Sequence, residues 1–212
     1  AGELLRLSVP LTANRVLLNV LQSVEAVSIP LRLQSHGHTL SESLSIYGVL
    51  TGMALPCIMF PSAITNSVST MLLPTVAEIQ ATADRGELKK LVQKVIISCF
   101  TLGIFCMLGF FILGNWIGTV IFHSPEAGKF ILTMSFICPF LYTNTTLTSI
   151  INGLGKTTTS FFINTFGLLV RIGSVFFLIP MFGILGYLWG MLASQLVVTV
   201  WAMAVLARYL KK

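Results

Sequence analysis

Two arginines stand where charge is least expected. Arg15 lies midway along the run from Leu4 to Leu33, and Arg171 interrupts a second apolar run near its middle. An always-ionised guanidinium placed in hydrocarbon costs about 2.5 kcal/mol at the least, so such a group faces water, a partner or an anionic ligand. The chemistry it offers is attraction of an anion. Its neighbours are polar in register. At about 100° per residue, Ser8, Thr12, Arg15, Asn19 and Gln22 share one narrow arc of a helix, with Glu25 at its edge. Ser62, Thr65, Asn66 and Ser69 recur at i, i+3, i+4 and i+7, just after Pro56 and Pro61, which must kink the helix and free backbone carbonyls. Ser135, Pro139, Tyr142, Thr146 and Ser149 make a third stripe, and Ser160, Asn164, Gly167, Arg171 and Ser174 a fourth.

Helix packing explains Ser, Thr and Gly stripes as well as a cavity does, because these residues let backbones approach and hydrogen-bond across an interface. It explains the arginines less well. Glu25 is ten residues from Arg15, about 15 Å along a helix axis, so the two are not an intrahelical pair. A Glu25–Arg171 bridge between helices is the competing reading; the favoured expectation is a hydrated cavity whose walls carry fixed positive charge.

The elements that must hold these residues follow from composition. Of 212 residues 55% are hydrophobic and only 9% charged, and mean hydropathy is +0.89. A soluble chain carries roughly a quarter charged residues, so lipid must replace most of the water around this one. The apolar runs are long and do not alternate, which implies an all-α integral membrane fold rather than a barrel. Runs of about 20 apolar residues give six spans forming one lobe, at 4–30, 45–76, 95–122, 130–152, 158–180 and 184–207. Segment 77–94 alone has soluble character. Its Leu88, Leu91, Val92 and Val95 at helical spacing predict an amphipathic helix on the membrane surface leading into the third span.

Basic residues orient the lobe. Segment 77–94 holds Arg85, Lys89, Lys90 and Lys94; Lys156 lies in a Gly-rich turn, and Arg208, Lys211 and Lys212 close the chain, all on one side of a six-span arrangement. The positive-inside rule places that side, with both termini, in the cytoplasm and accounts for the net charge of +6. The charges form no basic face with aromatic platforms, so nucleic acid is not an expected partner. Cys57, Cys99, Cys106 and Cys138 all fall inside spans without a C-x-x-C pair and read as small buried hydrophobes. His36 and His38 lack a third ligand for a metal, and no catalytic constellation is present, so neither metal, cofactor nor enzyme activity is expected. The first span is too long and too polar for a cleavable signal, and the opening Ala1-Gly2-Glu3 without an initiator Met reads as a fragment or a processed chain.

A resemblance narrows the function. Met53 to Lys94, with Pro61-Ser62-Ala63, Ser67-Val68-Ser69-Thr70-Met71-Leu72-Leu73-Pro74 and Asp84-Arg85-Gly86-Glu87-Leu88-Lys89-Lys90-Leu91, resembles the second span and following helix in the C-terminal lobe of polysaccharide and lipid II flippases. These belong to the multidrug/oligosaccharidyl-lipid/polysaccharide exporter superfamily, and the branch resembled is the stage V sporulation protein B type. Ile151-Asn152-Gly153-Leu154-Gly155-Lys156-Thr157, followed by Asn164, Arg171 and Ile179-Pro180-Met181-Phe182-Gly183-Ile184-Leu185-Gly186, is similar to the family's Gly-rich turn, basic helix position and Pro/Gly hairpin. The turn lacks the G-x-x-x-x-G-K-[ST] spacing of a nucleotide loop.

The resemblance implies a two-lobed transporter, of which this chain is the second lobe and a missing N-terminal lobe the partner. Alternating access would pass an undecaprenyl-pyrophosphate-linked sugar across the bacterial plasma membrane, with the head group in the cavity and the tail among membrane lipids. On that reading Arg15 and Arg171 bind pyrophosphate through their planar forks, Asn19, Gln22, Asn66 and Asn164 hydrogen-bond the sugar, and Glu25 binds a coupling cation or orients an arginine. Tyr47-Gly48-Val49-Leu50-Thr51 lacks the acidic–basic pair that lipid II flippases often carry there. A cation-coupled multidrug exporter and a non-transporting scaffold are the other readings; the first should favour acidic cavity residues.

Overall fold

The computed structural model describes the backbone of residues 2–81 and 85–211, and the side chains of 16–81 and 86–210. Every element among them is helical. α1 (Gly2–Ser35) ends at a turn in which Gly37 adopts φ +108°. Thr39 and Glu42 then start α2 (Leu40–Val49) with a capping box: each side chain accepts the other residue's backbone N–H.

Prolines set the breaks. Pro56 has no N–H to give, and its ring crowds the carbonyl of Gly52. The helix widens there into a π-turn over Leu50–Ala54, with the Leu55 N–H reaching back to the Leu50 carbonyl. α3 (Leu55–Met59) stops at a turn over Phe60 and Pro61, after which α4 (Ser62–Ala81) begins. The carbonyl of Ile58 beside that turn accepts the buried Tyr142 hydroxyl at 2.6 Å, and that of Met59 accepts the Ser62 hydroxyl, also at 2.6 Å. Pro139 acts in the same way on the carbonyl of Ser135. α6 (Pro125–Ser135) ends there and α7 (Cys138–Gly153) leaves at 58°.

α5 (Arg85–Trp116) continues through a second π-turn, Ile117–Ile121. α8 (Thr157–Phe177), the short α9 (Ile179–Phe182) and α10 (Ile184–Lys211) complete the chain. The hairpin before α10 turns on Gly183, at φ +62°, a conformation open to glycine. Val16–Ser35, Leu40–Met59, Gly86–Ile121, Thr157–Phe177 and Ile184–Leu210 are long and apolar enough to cross a membrane, and the bent pair α6–α7 makes a sixth candidate. The chain is an all-α, multi-pass membrane protein.

The expected segments differ in two places. The run expected as one span at 45–76 is divided at Phe60–Pro61, and that at 130–152 is bent, in both cases because proline removes a helix hydrogen bond. Segment 77–94 is no separate surface helix: α4 continues to Ala81, and α5 runs unbroken from Arg85 into the membrane, with 82–84 outside the described residues. Leu88 and Val92 are buried, with Leu91 and Val95 packed beside them, in a cluster that includes Leu72, Val76, Ile151 and Leu154. The apolar stripe covers protein rather than lipid.

Two apolar clusters occupy opposite ends of the helix bundle. One joins Ile29, Leu50, Ile58, Met134, Val175 and Leu188, and the other Leu72, Val92, Ile150, Ile163 and Val198. The helices' polar residues fall between them: Ser62 to Ser69 on α4, Thr143 to Thr146 on α7, Asn164 to Ser174 on α8, and Ser194 and Gln195 on α10. Much of the outer surface is apolar, with Phe105 76% and Ile112 75% exposed.

Close helix approach depends on particular glycines. A Cβ at Gly103 of α5 would run into the Pro139 backbone at the α6–α7 bend, whereas one at Gly109, on the same helix, would meet nothing. Gly103→Ala should therefore lower the melting temperature of the detergent-solubilised protein, with a cost of about 1–3 kcal/mol, and Gly109→Ala should leave it unchanged or higher. Thermal unfolding of the two variants side by side checks this.

Candidate functional site

Three helices bring one charged cluster together. Glu25 of α1 is 4% exposed. Arg171 of α8 donates from Nη2 to Glu25 Oε2 at 2.6 Å, and its Nε lies 2.6 Å from Oε1, an ion-pair distance without hydrogen-bond alignment. Tyr187 of α10 donates its hydroxyl to the same Oε1 at 2.9 Å. Small residues allow this meeting. Gly167, one turn before Arg171, lies against Val198 and receives the Ser194 hydroxyl on its carbonyl at 2.6 Å. Gly190 leaves room for the Ser174 hydroxyl. With α8 and α10 so close, Arg171 and Tyr187 reach one carboxylate.

The expectation of cavity walls carrying unbalanced positive charge is thus corrected at Arg171. A guanidinium taken out of water needs a counter-charge, and Glu25 supplies it across 146 positions of sequence. Arg171 is not sealed, however: its side chain is 23% exposed.

It lines a cavity of about 610 Å³ whose walls carry five amides, Gln22, Asn66, Asn144, Asn164 and Gln195, and hydroxyls that include Ser69, Thr70, Thr145, Thr148 and Ser194. A second cavity of about 330 Å³, lined by Glu25, Tyr47, Tyr187, Met134 and Met191 among others, lies beside it. Gln22, Leu141, Arg171 and Gln195 line both, so the ion pair stands where the two meet. The larger cavity is lined by residues of α1, α4, α7, α8 and α10.

Of the residues singled out in the sequence, Gln22, Asn66, Asn164 and Arg171 share the larger cavity, and Glu25 lines the smaller. Asn19 is exposed and lines neither. The side chain of Arg15 lies outside the described residues. Asn144, Tyr187, Gln195 and Thr199 were not singled out. Gln195 is the one amide in the last span, which was the signal available. His36 sets Nδ1 3.0 Å from the Pro180 carbonyl under the α9–α10 hairpin, and His38 lies 3.8 Å from Glu42. No group of three metal-binding side chains occurs among the described residues.

Comparison with known proteins follows the same lines. No family profile matches the chain. A MOP superfamily transporter from Pyrococcus furiosus Vc1 (DSM3638) superposes with a TM-score of 0.72 at 16% identity, over 93% of this chain and 43% of that one. The chain shares its fold with part of that transporter. In sequence it is 24% identical over 210 residues to stage V sporulation protein B of Bacillus subtilis (strain 168), covering 98% of this chain and 40% of that protein. It is also 24% identical over 211 residues to sporulation protein YkvU of the same organism, covering 99% and 47%. The chain spans less than half the length of each, and its resemblance to this flippase-like family runs through nearly all of it.

Removing one partner of a buried ion pair strands the other charge. Arg171→Ala should destabilise the protein by about 3–5 kcal/mol and reduce its level in the membrane, while Glu25→Leu combined with Arg171→Met should recover most of the loss. A double-mutant cycle on melting temperature checks this; additive effects would mean the two side chains do not interact.

Proposed function

We propose that this chain is one lobe of an alternating-access flippase that moves an undecaprenyl-pyrophosphate-linked sugar across the bacterial plasma membrane. Both termini of the segment lie on the cytoplasmic side, in keeping with the basic residues at 85–94, 156 and 208–212. The observation that carries the reading is the larger cavity: five amides and a set of hydroxyls midway along the helices, with one guanidinium among them. Amides and hydroxyls donate and accept hydrogen bonds, which suits the many hydroxyls of a glycan. Arg171 adds N–H groups beyond those engaged by Glu25 for a phosphoryl oxygen. The head group occupies the cavity and the lipid tail stays among membrane lipids.

The cavity is bordered by both α1 and α4, which make few close contacts with each other. A facing lobe, from the same parent chain or a second one, closes it, and rocking of the two lobes gives alternating access. The relatives' sporulation names favour a cell-wall or polysaccharide precursor, such as a peptidoglycan intermediate, as cargo. A cation-coupled drug exporter fits less well, because among the described residues the one carboxylate lining these cavities, Glu25, is already neutralised by Arg171.

Flipping of a fluorescent undecaprenyl-pyrophosphate oligosaccharide by the intact two-lobed protein in proteoliposomes tests this. Asn66→Leu with Asn164→Leu should slow flipping about tenfold or more without lowering the melting temperature, since each amide removed takes a hydrogen bond from the glycan. Efflux of a cationic dye with no flipping of the glycolipid would overturn the assignment.

A further inference from the structure

Beside Arg171 the cavity junction holds an amide whose polarity is fixed by its surroundings. Asn144 places Nδ2 3.1 Å from the Gln195 backbone carbonyl. A carbonyl only accepts, so the Asn144 atom facing it must be the NH₂ group and not the oxygen. The same NH₂ is in hydrogen-bond contact with the Gln195 side chain at 2.5 Å. That partner must then be Oε1, an acceptor. On its other edge Asn144 Oδ1 lies 2.8 Å from the Thr199 hydroxyl, whose oxygen is also 2.7 Å from the Gln195 backbone carbonyl; a hydroxyl can donate or accept, so the Gln195 carbonyl is the group that fixes the amide. Asn144 and Thr199 are 7% and 5% exposed, so water does not compete for these bonds.

With Oε1 occupied, the Gln195 Nε2 is left as a donor without a partner among the described residues, on a side chain that lines both cavities together with Arg171. An ordinary glutamine can rotate its amide to donate or accept. This one cannot do so without setting two donors or two acceptors against each other in a buried site, a cost of about 1–3 kcal/mol. We propose that Gln195 is a donor-only ligand that, with Arg171, binds a phosphoryl oxygen of the head group at the junction of the two cavities, and that Asn144 and Thr199 are positioning residues that hold its donor edge outward. The inference rests on the flippase reading and adds to it the residue that distinguishes an oxyanion from a cationic or donor-rich ligand.

Titration of the intact protein in lipid nanodiscs with inorganic pyrophosphate, followed by calorimetry, tests the assignment. Gln195→Glu, which keeps an acceptor for Asn144 but removes the donor, should weaken pyrophosphate binding about tenfold or more at an unchanged melting temperature. Asn144→Asp reverses the edge that faces Gln195 and should weaken binding comparably. Thr199→Val should weaken it and Thr199→Ser should restore it, a rescue that packing alone would not give. Wild-type affinity in Gln195→Glu and Asn144→Asp overturns the proposal and leaves the flippase reading standing. So does an intact protein that flips the glycolipid yet binds no pyrophosphate. Failure of glycolipid flipping while the Gln195 and Asn144 variants still weaken pyrophosphate binding upholds the oxyanion site and sinks the flippase reading.

Discussion

A guanidinium and a carboxylate taken out of water among these helices must find each other, and the rest of the helix bundle is arranged so that they do. Arg171 and Glu25 belong to helices far apart in the sequence, 146 positions from each other, and each alone would carry a desolvation cost of several kcal/mol. The pair ties α1 to α8, and Tyr187 extends the tie to α10 through the same carboxylate oxygen. These helices also frame the larger cavity, so the charge balance of the site and the geometry of its walls have one origin.

That pair sits in a polar layer between two apolar clusters, and the layering explains why a cavity forms there. Each cluster closes its end of the helix bundle with Ile, Leu, Val and aromatic side chains. Between them the facing positions are Ser, Thr, Asn and Gln, which fill space less completely and keep hydrogen-bonding groups that only a partner, water or a ligand can satisfy. Many of the hydroxyls turn back onto carbonyls of their own helix, as Ser69 does to Thr65 and Thr143 to Pro139, both at 2.6 Å. Among the amides, Asn164 also turns back, donating to the Ser160 carbonyl at 2.9 Å, and Asn144 is held by Gln195 and Thr199. Gln22 and Asn66 line the larger cavity without such a partner among the described residues.

Proline and glycine decide the shape of the frame. Pro56, Pro61 and Pro139 interrupt helices that an apolar pattern alone would run straight, and the carbonyls beside Pro61 are taken up by Tyr142 and Ser62. Gly103, Gly167 and Gly190 let backbones approach where any side chain would hold them apart. A fold shared at 16% identity with a solved MOP superfamily transporter can be kept through such positions, because they constrain backbone path rather than side-chain identity.

By itself the sequence determined what depends on local pattern: an all-α membrane chain, the approximate spans, the stripe of Leu88 and Val92, and the polar faces that contain Gln22, Asn66, Asn164 and Arg171. These follow from helical period and from the cost of exposing apolar or charged groups, which every short window carries. Only the tertiary structure decided which faces meet. It set Arg171 against Glu25 rather than against an open wall, packed the 85–94 stripe on protein rather than lipid, left Asn19 off the cavities, and brought Asn144 to Gln195. Those outcomes depend on contacts between residues far apart in the chain, and a hydrogen bond's donor and acceptor edges have no signature until both partners are in place.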